Sequence, residues 1–183
     1  MKSILTLFCI SIFILNFSQS PKEETNKLGK NPVFFIDSVR VGGEELQNYD
    51  PQEIASLTMY KDGDALKLFP NEGKDGVVYI FTKKFSKKRF QTYFKTKSNE
   101  YKKLLSTQND DSNLQYILND KILTSDFEGN IVAIIDDKVF KSLKIINKKE
   151  LQKQFNIEDK DYGILITSEV PDNLHNEAEN SNK

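Results

Sequence analysis

The side chains that most often carry catalysis are scarce in this chain, and they stand far apart. Its one histidine, His175, sits in Pro171-Asp172-Asn173-Leu174-His175-Asn176-Glu177, a polar stretch without apolar periodicity. Its one cysteine, Cys9, lies inside an apolar run near the start. A base–nucleophile pair or a zinc site needs such groups brought together. Carboxylates do occur in pairs, at Asp62/Asp64, Asp110/Asp111, Asp136/Asp137 and Asp159/Asp161. Asp62-Gly63-Asp64 is too short for a calcium loop, which spreads its ligands over about twelve residues. Asp110-Asp111 and Asp159-Asp161 read as loop polarity, and Asp136-Asp137 as the end of the apolar run 131–135. Neither a Gly-x-Gly-x-x-Gly nor a phosphate-loop pattern is present. These residues give no catalytic, cofactor-binding or metal-binding assignment, no cofactor, and no expectation of an enzyme.

The charge feature that could do chemistry is basic. Between Lys83 and Lys103 stand Lys83, Lys84, Lys87, Lys88, Arg89, Lys95, Lys97, Lys102 and Lys103, against the single acid Glu100. Phe90, Phe94, Tyr101, Leu104 and Leu105 recur among them at near-helical spacing, which predicts an amphipathic helix over about 86–105. The plain reading is a packed linking helix with a solvated lysine face. The sharper reading is electrostatic docking to an anionic surface, with Lys83, Lys84, Lys87, Lys88 and Arg89 as the interaction residues. No nucleic-acid-binding motif accompanies them, so nucleic acid is not the expected partner.

Stepping along the chain gives the elements that must hold these groups. Met1-Lys2, the run from Ile4 to Leu15 and the small polar residues from Asn16 to Ser20 form a secretory signal pattern, with cleavage expected after Ser18. The run is shorter than the roughly 20 apolar residues that span a bilayer, so the mature chain is expected to carry no transmembrane segment. Phe8 before Cys9 departs from the small residue that lipoprotein processing needs. Without residues 1–18 the chain has 25 basic and 27 acidic residues, a net charge of −2, and no cysteine, so no disulfide supplements its core.

A segment then occurs twice. Residues 54–81 set against 140–167 share eight identical positions: Ser56/Ser142, Leu57/Leu143, Lys67/Lys153, Phe69/Phe155, Glu72/Glu158, Lys74/Lys160, Asp75/Asp161 and Ile80/Ile166. About two would be expected for unrelated segments of this composition, and self-similarity at fixed offset signals a repeated unit. Strand-like runs at 33–37 and 115–119 precede the copies, at an offset shorter by four residues. Within the first copy, Asp50-Pro51-Gln52-Glu53 reads as a helix start. Residues 57–60 read as a strand, Ala65 and Phe69 as one helical face, and 77–82 as a strand after the Asp75-Gly76 turn. In the second, Asn147 and Glu150 form a capping-box pattern before Leu151 and Phe155.

Ile36-Asp37, Ile54 to Met59, Lys61-Asp62 with Ala65, and Asp75-Gly76-Val77-Val78-Tyr79-Ile80-Phe81-Thr82-Lys83-Lys84 resemble the plug domain of TonB-dependent outer-membrane receptors. More closely they resemble short free-standing plug-like modules. The likeness covers about 32–84 well and 114–169 weakly. Ser38 stands where the family pattern has a glycine, Phe69-Pro70 where it has Tyr-Gly, and Asp75 where it has asparagine. Because glycines there serve positive-φ turns, Ser38 and Pro70 imply altered turn geometry. No barrel follows the units, so transport does not come with the likeness.

These readings predict an α+β chain: two small plug-like mixed-sheet units, each strand–helix–strand–helix–strand, joined by an amphipathic helix. The boundaries are a signal peptide at 1–18, a flexible leader at 19–31, unit one at 32–84, a linking helix and loop at 85–111, unit two at 112–169, and a disordered tail at 170–183. The function expected is that of an exported, non-enzymatic interaction module of the periplasm or outer envelope. Its partner would be an unidentified envelope protein or ligand, with peripheral contact to an anionic surface. The alternative is an envelope hydrolase or metal-dependent activity using the acidic loops.

Overall fold

The computed structural model describes residues 28–108 and 110–169. The signal sequence, residues 19–27 of the leader, His175 and the tail lie outside them. Two four-stranded mixed sheets organise the chain. The first holds β1 (Val33–Ile36), β2 (Val39–Val41), β3 (Ile54–Tyr60) and β4 (Val77–Thr82), in the order β2-β1-β4-β3. The second holds β5 (Leu114–Leu118), β6 (Lys121–Ile122), β7 (Phe140–Asn147) and β8 (Tyr162–Ser168), in the order β6-β5-β8-β7. Helix α1 (Asp62–Leu68) belongs to unit one. Helices α2 (Lys83–Lys97) and α3 (Asn99–Thr107) follow it, and α4 (Glu128–Val132) and α5 (Lys148–Phe155) belong to unit two.

The sequence repeat is a structural repeat down to its irregularities. In each sheet the outer strands flank a parallel central pair, with Val33 opposite Val77 and Gln115 opposite Gly163. The β3–β4 register shifts between Ile54 and Ser56, and the β7–β8 register shifts between Phe140 and Ser142, the equivalent residues. Each first hairpin closes through two left-handed residues, Asp37-Ser38 at φ 50° and 70° and Asn119-Asp120 at φ 47° and 65°. Two consecutive positive φ values make a turn whose twist matches the flanking strands. Ser38 therefore keeps the left-handed backbone that a glycine would favour, and the altered geometry expected there does not occur.

Local signals explain most elements. Asn147 accepts from the Glu150 N–H at 3.0 Å while the Glu150 carboxylate accepts from the Asn147 N–H at 3.2 Å, a complete capping box. Asp50 caps the Gln52 N–H at 2.9 Å, but Pro51–Glu53 forms a single 3-10 turn, not an α-helix, and strand geometry starts already at Ile54. The single helix expected over 86–105 is two helices that meet at Ser98. This residue has extended backbone (φ −143°, ψ 115°), and its hydroxyl caps the Tyr101 N–H at 3.1 Å.

Two boundaries move for packing reasons. Leu28 packs on the first core, the Gly29 N–H donates to the Asp75 carbonyl at 2.8 Å, and the Asn31 N–H donates to the Asp75 carboxylate at 3.0 Å. Residues 28–31 are thus bound to unit one and are not leader. Helix α2 begins directly after β4, because the Thr82 hydroxyl both donates to Asp37 at 2.7 Å and accepts from the Phe85 N–H at 3.2 Å. Lastly, α4 fills the longer first loop of unit two and packs against α2 and β3, so the two units share one body.

The main core lies between sheet two and the helices: Phe90 and Phe94 of α2, Tyr101 of α3, Ile131 of α4, and Tyr116, Ile164 and Ile166 of the sheet. The other face of sheet two is closed by α5, whose Leu151 packs with Ile117 and Ile146. Phe69 and Phe155 occupy equivalent places but are half-buried; their partners Ala65 and Leu151 are the fully buried ones.

Candidate functional site

The basic run does not act as one patch. Lys83 forms an ion pair with Asp126, and Lys87 pairs with the buried Asp111. Lys97 pairs with Asp137 at 2.6 Å. The hydrogen bond to Asp126 raises the affinity of Lys83 for its proton. These three lysines tie α2 to unit two. Lys84, Lys88, Lys95, Lys102 and Lys103 are exposed, and Arg89 places its guanidinium over Phe81, 4.9 Å from the ring centre, and within 5.9 Å of Phe85. Of the five interaction residues read from sequence, Lys84, Lys88 and Arg89 remain available on the outer side of α2, while Lys83 and Lys87 are spent on internal pairs.

The acidic pairs also separate. Asp111 lies in a loop but is not mere loop polarity: it is buried and accepts from Gln91 at 3.1 Å and from the Tyr116 hydroxyl at 3.4 Å, beside Lys87. Tyr116 and Tyr101 share a buried hydroxyl–hydroxyl bond of 2.8 Å. Burial pushes both phenols far above the ordinary tyrosine range, so this network stays neutral at its tyrosines and holds α2, α3 and β5 together. Asp137 accepts from Lys97 and from Tyr93, and these bonds hold its carboxyl below the ordinary value of 3.8. Asp64 pairs with Lys67 at 2.8 Å, and Asp136 accepts from the Lys138 N–H at 2.9 Å. Among the described residues, no three of His, Cys, Asp and Glu come together as a metal-binding group.

The site that sequence reading missed is an aromatic face of sheet one. Phe35 on β1 and Tyr79 on β4 are directly opposite and stack at 4.9 Å. Phe69, at the end of α1, stacks on Phe35 at 5.3 Å, and Tyr60 on β3 meets Tyr79 edge-on at 5.9 Å. Phe81, two residues along β4 from Tyr79, lies on the same face and packs against Phe85 at 5.5 Å. The short α1 covers only the Val33–Val77 end, where Ala65 is fully buried. Phe35, Tyr79, Phe81 and Phe85 are half-buried, Tyr60 is 36% exposed, and Leu66 and Leu68 on α1 are 41% and 46% exposed.

The duplicate shows that this composition is peculiar to unit one. Positions 35, 60 and 79 correspond to Ile117, Ile146 and Leu165, aliphatic residues closed under α5. Position 81 corresponds to Thr167 and position 58 to Lys144. Comparing the two copies position by position would have found the signal: Phe35, Tyr60, Tyr79 and Phe81 in one copy stand against Ile117, Ile146, Leu165 and Thr167 in the other.

Two clefts lie elsewhere. One of about 700 Å³ borders β2 and is lined by Phe34, Val41, Glu45, Lys74 and the Arg40–Glu72 ion pair of 2.7 Å. The other, about 550 Å³, lies beside β7 at Lys97, Asp137 and Phe140 to Leu143. No helix among the described residues is long and apolar enough to cross a membrane. No family model, no curated protein and no solved structure matches the chain.

Proposed function

We propose that the protein is an exported, non-enzymatic binding module of the cell envelope. In this reading its two units descend from one plug-like unit, and unit one carries the binding surface. The observation that supports this most is the aromatic face of sheet one, where half-buried Phe35, Tyr79 and Phe81 are bordered by exposed Tyr60, Leu66 and Leu68. At one pair of equivalent positions the copies differ plainly, Tyr60 being 36% exposed where Ile146 is 1% exposed, and apolar surface left at such a place serves something besides the core. The export signal read at 1–18 supplies the compartment.

The alternative, a hydrolase or metal-dependent activity using acidic loops, draws little support from the acids present. Asp64, Asp111, Asp136 and Asp137 are each engaged by a different neighbour and point to no common centre.

Affinity capture from envelope extracts tests the reading, with wild-type protein and a Tyr60→Ser/Phe85→Ser variant whose fold is checked by circular dichroism. Envelope material retained by wild type and lost by the folded variant is the expected result. Equal retention by both would overturn the assignment of this face.

A further inference from the structure

Resting on that reading of the face, we infer that the aromatic surface of sheet one and the lysine stripe beside it dock on the headgroup layer of an anionic lipid bilayer. The stripe follows from helix geometry. Lys84, Lys88 and Lys95 recur at intervals of four and seven residues and so share one side of α2. Phe85 and Arg89 lie on the adjoining side, and Arg89 covers Phe81. The cations therefore border the aromatic face directly. Helix α2 contains no acid, and none of the three lysines has an ion-pair partner among the described residues.

The shape favours a flat partner. Phe35 and Tyr79 stack on each other with only 11° between their planes, so they turn ring edges outward and leave no slot between them. The clefts of about 700 and 550 Å³ lie at the β2 and β7 edges, away from this face. Leu66 and Leu68 stand exposed on α1 but, two residues apart, lie about 160° from each other around the helix, so one of the two can enter the outermost acyl layer. Tyr60 and Tyr79 have an apolar body and a polar tip, the combination that settles at the level of lipid headgroups. Arginine and lysine can lay their stems along the apolar surface and keep their charges at the phosphates. Of the acids on and near α1, Asp64 pairs with Lys67 and Glu72 with Arg40, and exposed Asp62 is the acid of α1 without an ion pair among the described residues.

Sedimentation with vesicles tests the inference, using the mature chain with phosphatidylcholine alone and with phosphatidylglycerol mixed into it. Wild type should pellet with the mixed vesicles at low salt and not with phosphatidylcholine alone. Each basic residue near an anionic surface changes partitioning about fivefold, so Lys84→Glu/Lys88→Glu should weaken binding by at least about 25-fold. Lys102→Glu/Lys103→Glu makes the same change in net charge at the far end of the helices and should cost less than about twofold. Leu66→Ser/Leu68→Ser alters two exposed residues, leaves the fold intact, and should weaken binding without changing its salt dependence.

Equal loss from the two lysine pairs would reduce the effect to net charge and overturn the inference. So would failure of wild type to pellet with anionic vesicles. Binding to soluble polyglutamate but not to vesicles would assign the stripe to an acidic protein instead. If vesicles fail while envelope capture still depends on Tyr60 and Phe85, the lipid assignment falls and the binding face stands. If both fail, both readings fall.

Discussion

The carboxylate of Asp37 accepts two hydrogen bonds from Thr82, 2.8 Å from its backbone N–H and 2.7 Å from its hydroxyl. Asn119 and Ser168 repeat the arrangement 82 and 86 residues further on. The Ser168 N–H donates to the Asn119 carboxamide at 3.0 Å, and the carboxamide donates back to the Ser168 carbonyl at 2.9 Å. In both units one hairpin-turn residue clamps the end of the central strand. Asp37→Ala should cost about 1–3 kcal/mol, because it strips partners from two part-buried donors. Ser38→Gly, next to it, should gain about 0.5–1 kcal/mol by relieving a left-handed backbone at φ 70°. Urea melts of the two variants, compared with wild type, would check both signs.

Gly129 on α4 sets the contact between the units. A methyl group there would fall onto the Ala55 carbonyl of β3. Gly129→Ala should therefore destabilise by about 1–3 kcal/mol, the usual cost of overpacking. A single melting transition in wild type should separate into two in the variant. One unbroken transition at the wild-type temperature would show that α4 and β3 do not depend on each other.

Phe69 and Phe155 are half-buried, so truncating them costs less than truncating a full core residue. Phe155→Ala should cost about 2 kcal/mol, below the 3–5 of a buried phenylalanine, while Leu151→Ala, fully buried, should cost about 2–5. Thermal melts should rank Leu151→Ala as the more damaging of the two.

The hydroxyls of Tyr101 and Tyr116 satisfy each other in the core. Tyr101→Phe alone should cost about 1–2 kcal/mol. The double variant Tyr101→Phe/Tyr116→Phe should cost less than the sum of the two single changes by at least about 0.5 kcal/mol, since the second removes the group the first left unpaired. A double-mutant cycle in denaturant measures this, and strict additivity would mean that the two hydroxyls act independently.

Asp137 gives a pH dependence with a fixed sign. Lys97 first, and Tyr93 second, hold its carboxyl below 3.8, so the stabilisation it brings is complete above that pH and lost as pH falls through the lowered value. Wild type should exceed Asp137→Asn in denaturation midpoint at pH 7 and pH 5 alike. The gap should close only in more acidic buffer, below pH 3.8. A gap that closed near neutrality would point to another group.

The sequence by itself determined the repeat and most of the elements, because those signals are local. Alternation and β-branched residues mark 77–82 as a strand, Asn147 and Glu150 meet three residues apart, and identical residues at one offset require one fold twice. Tertiary structure decided which of these residues serve the core and which stay outside. Lys83, Lys84, Lys87 and Lys88 read alike along the chain, yet two meet Asp126 and Asp111 while two face solvent, because those acids arrive from loops far along the chain. Asp111 reads as loop polarity until Tyr116 and Gln91 close over it. The aromatic face was hidden for the same reason. Strand alternation marks both faces of sheet one as apolar, and only the lengths and placements of α1 and α5 decide that Tyr60 stays 36% exposed where Ile146 is buried. Coverage depends on contacts between elements far apart in sequence, and no local period encodes it.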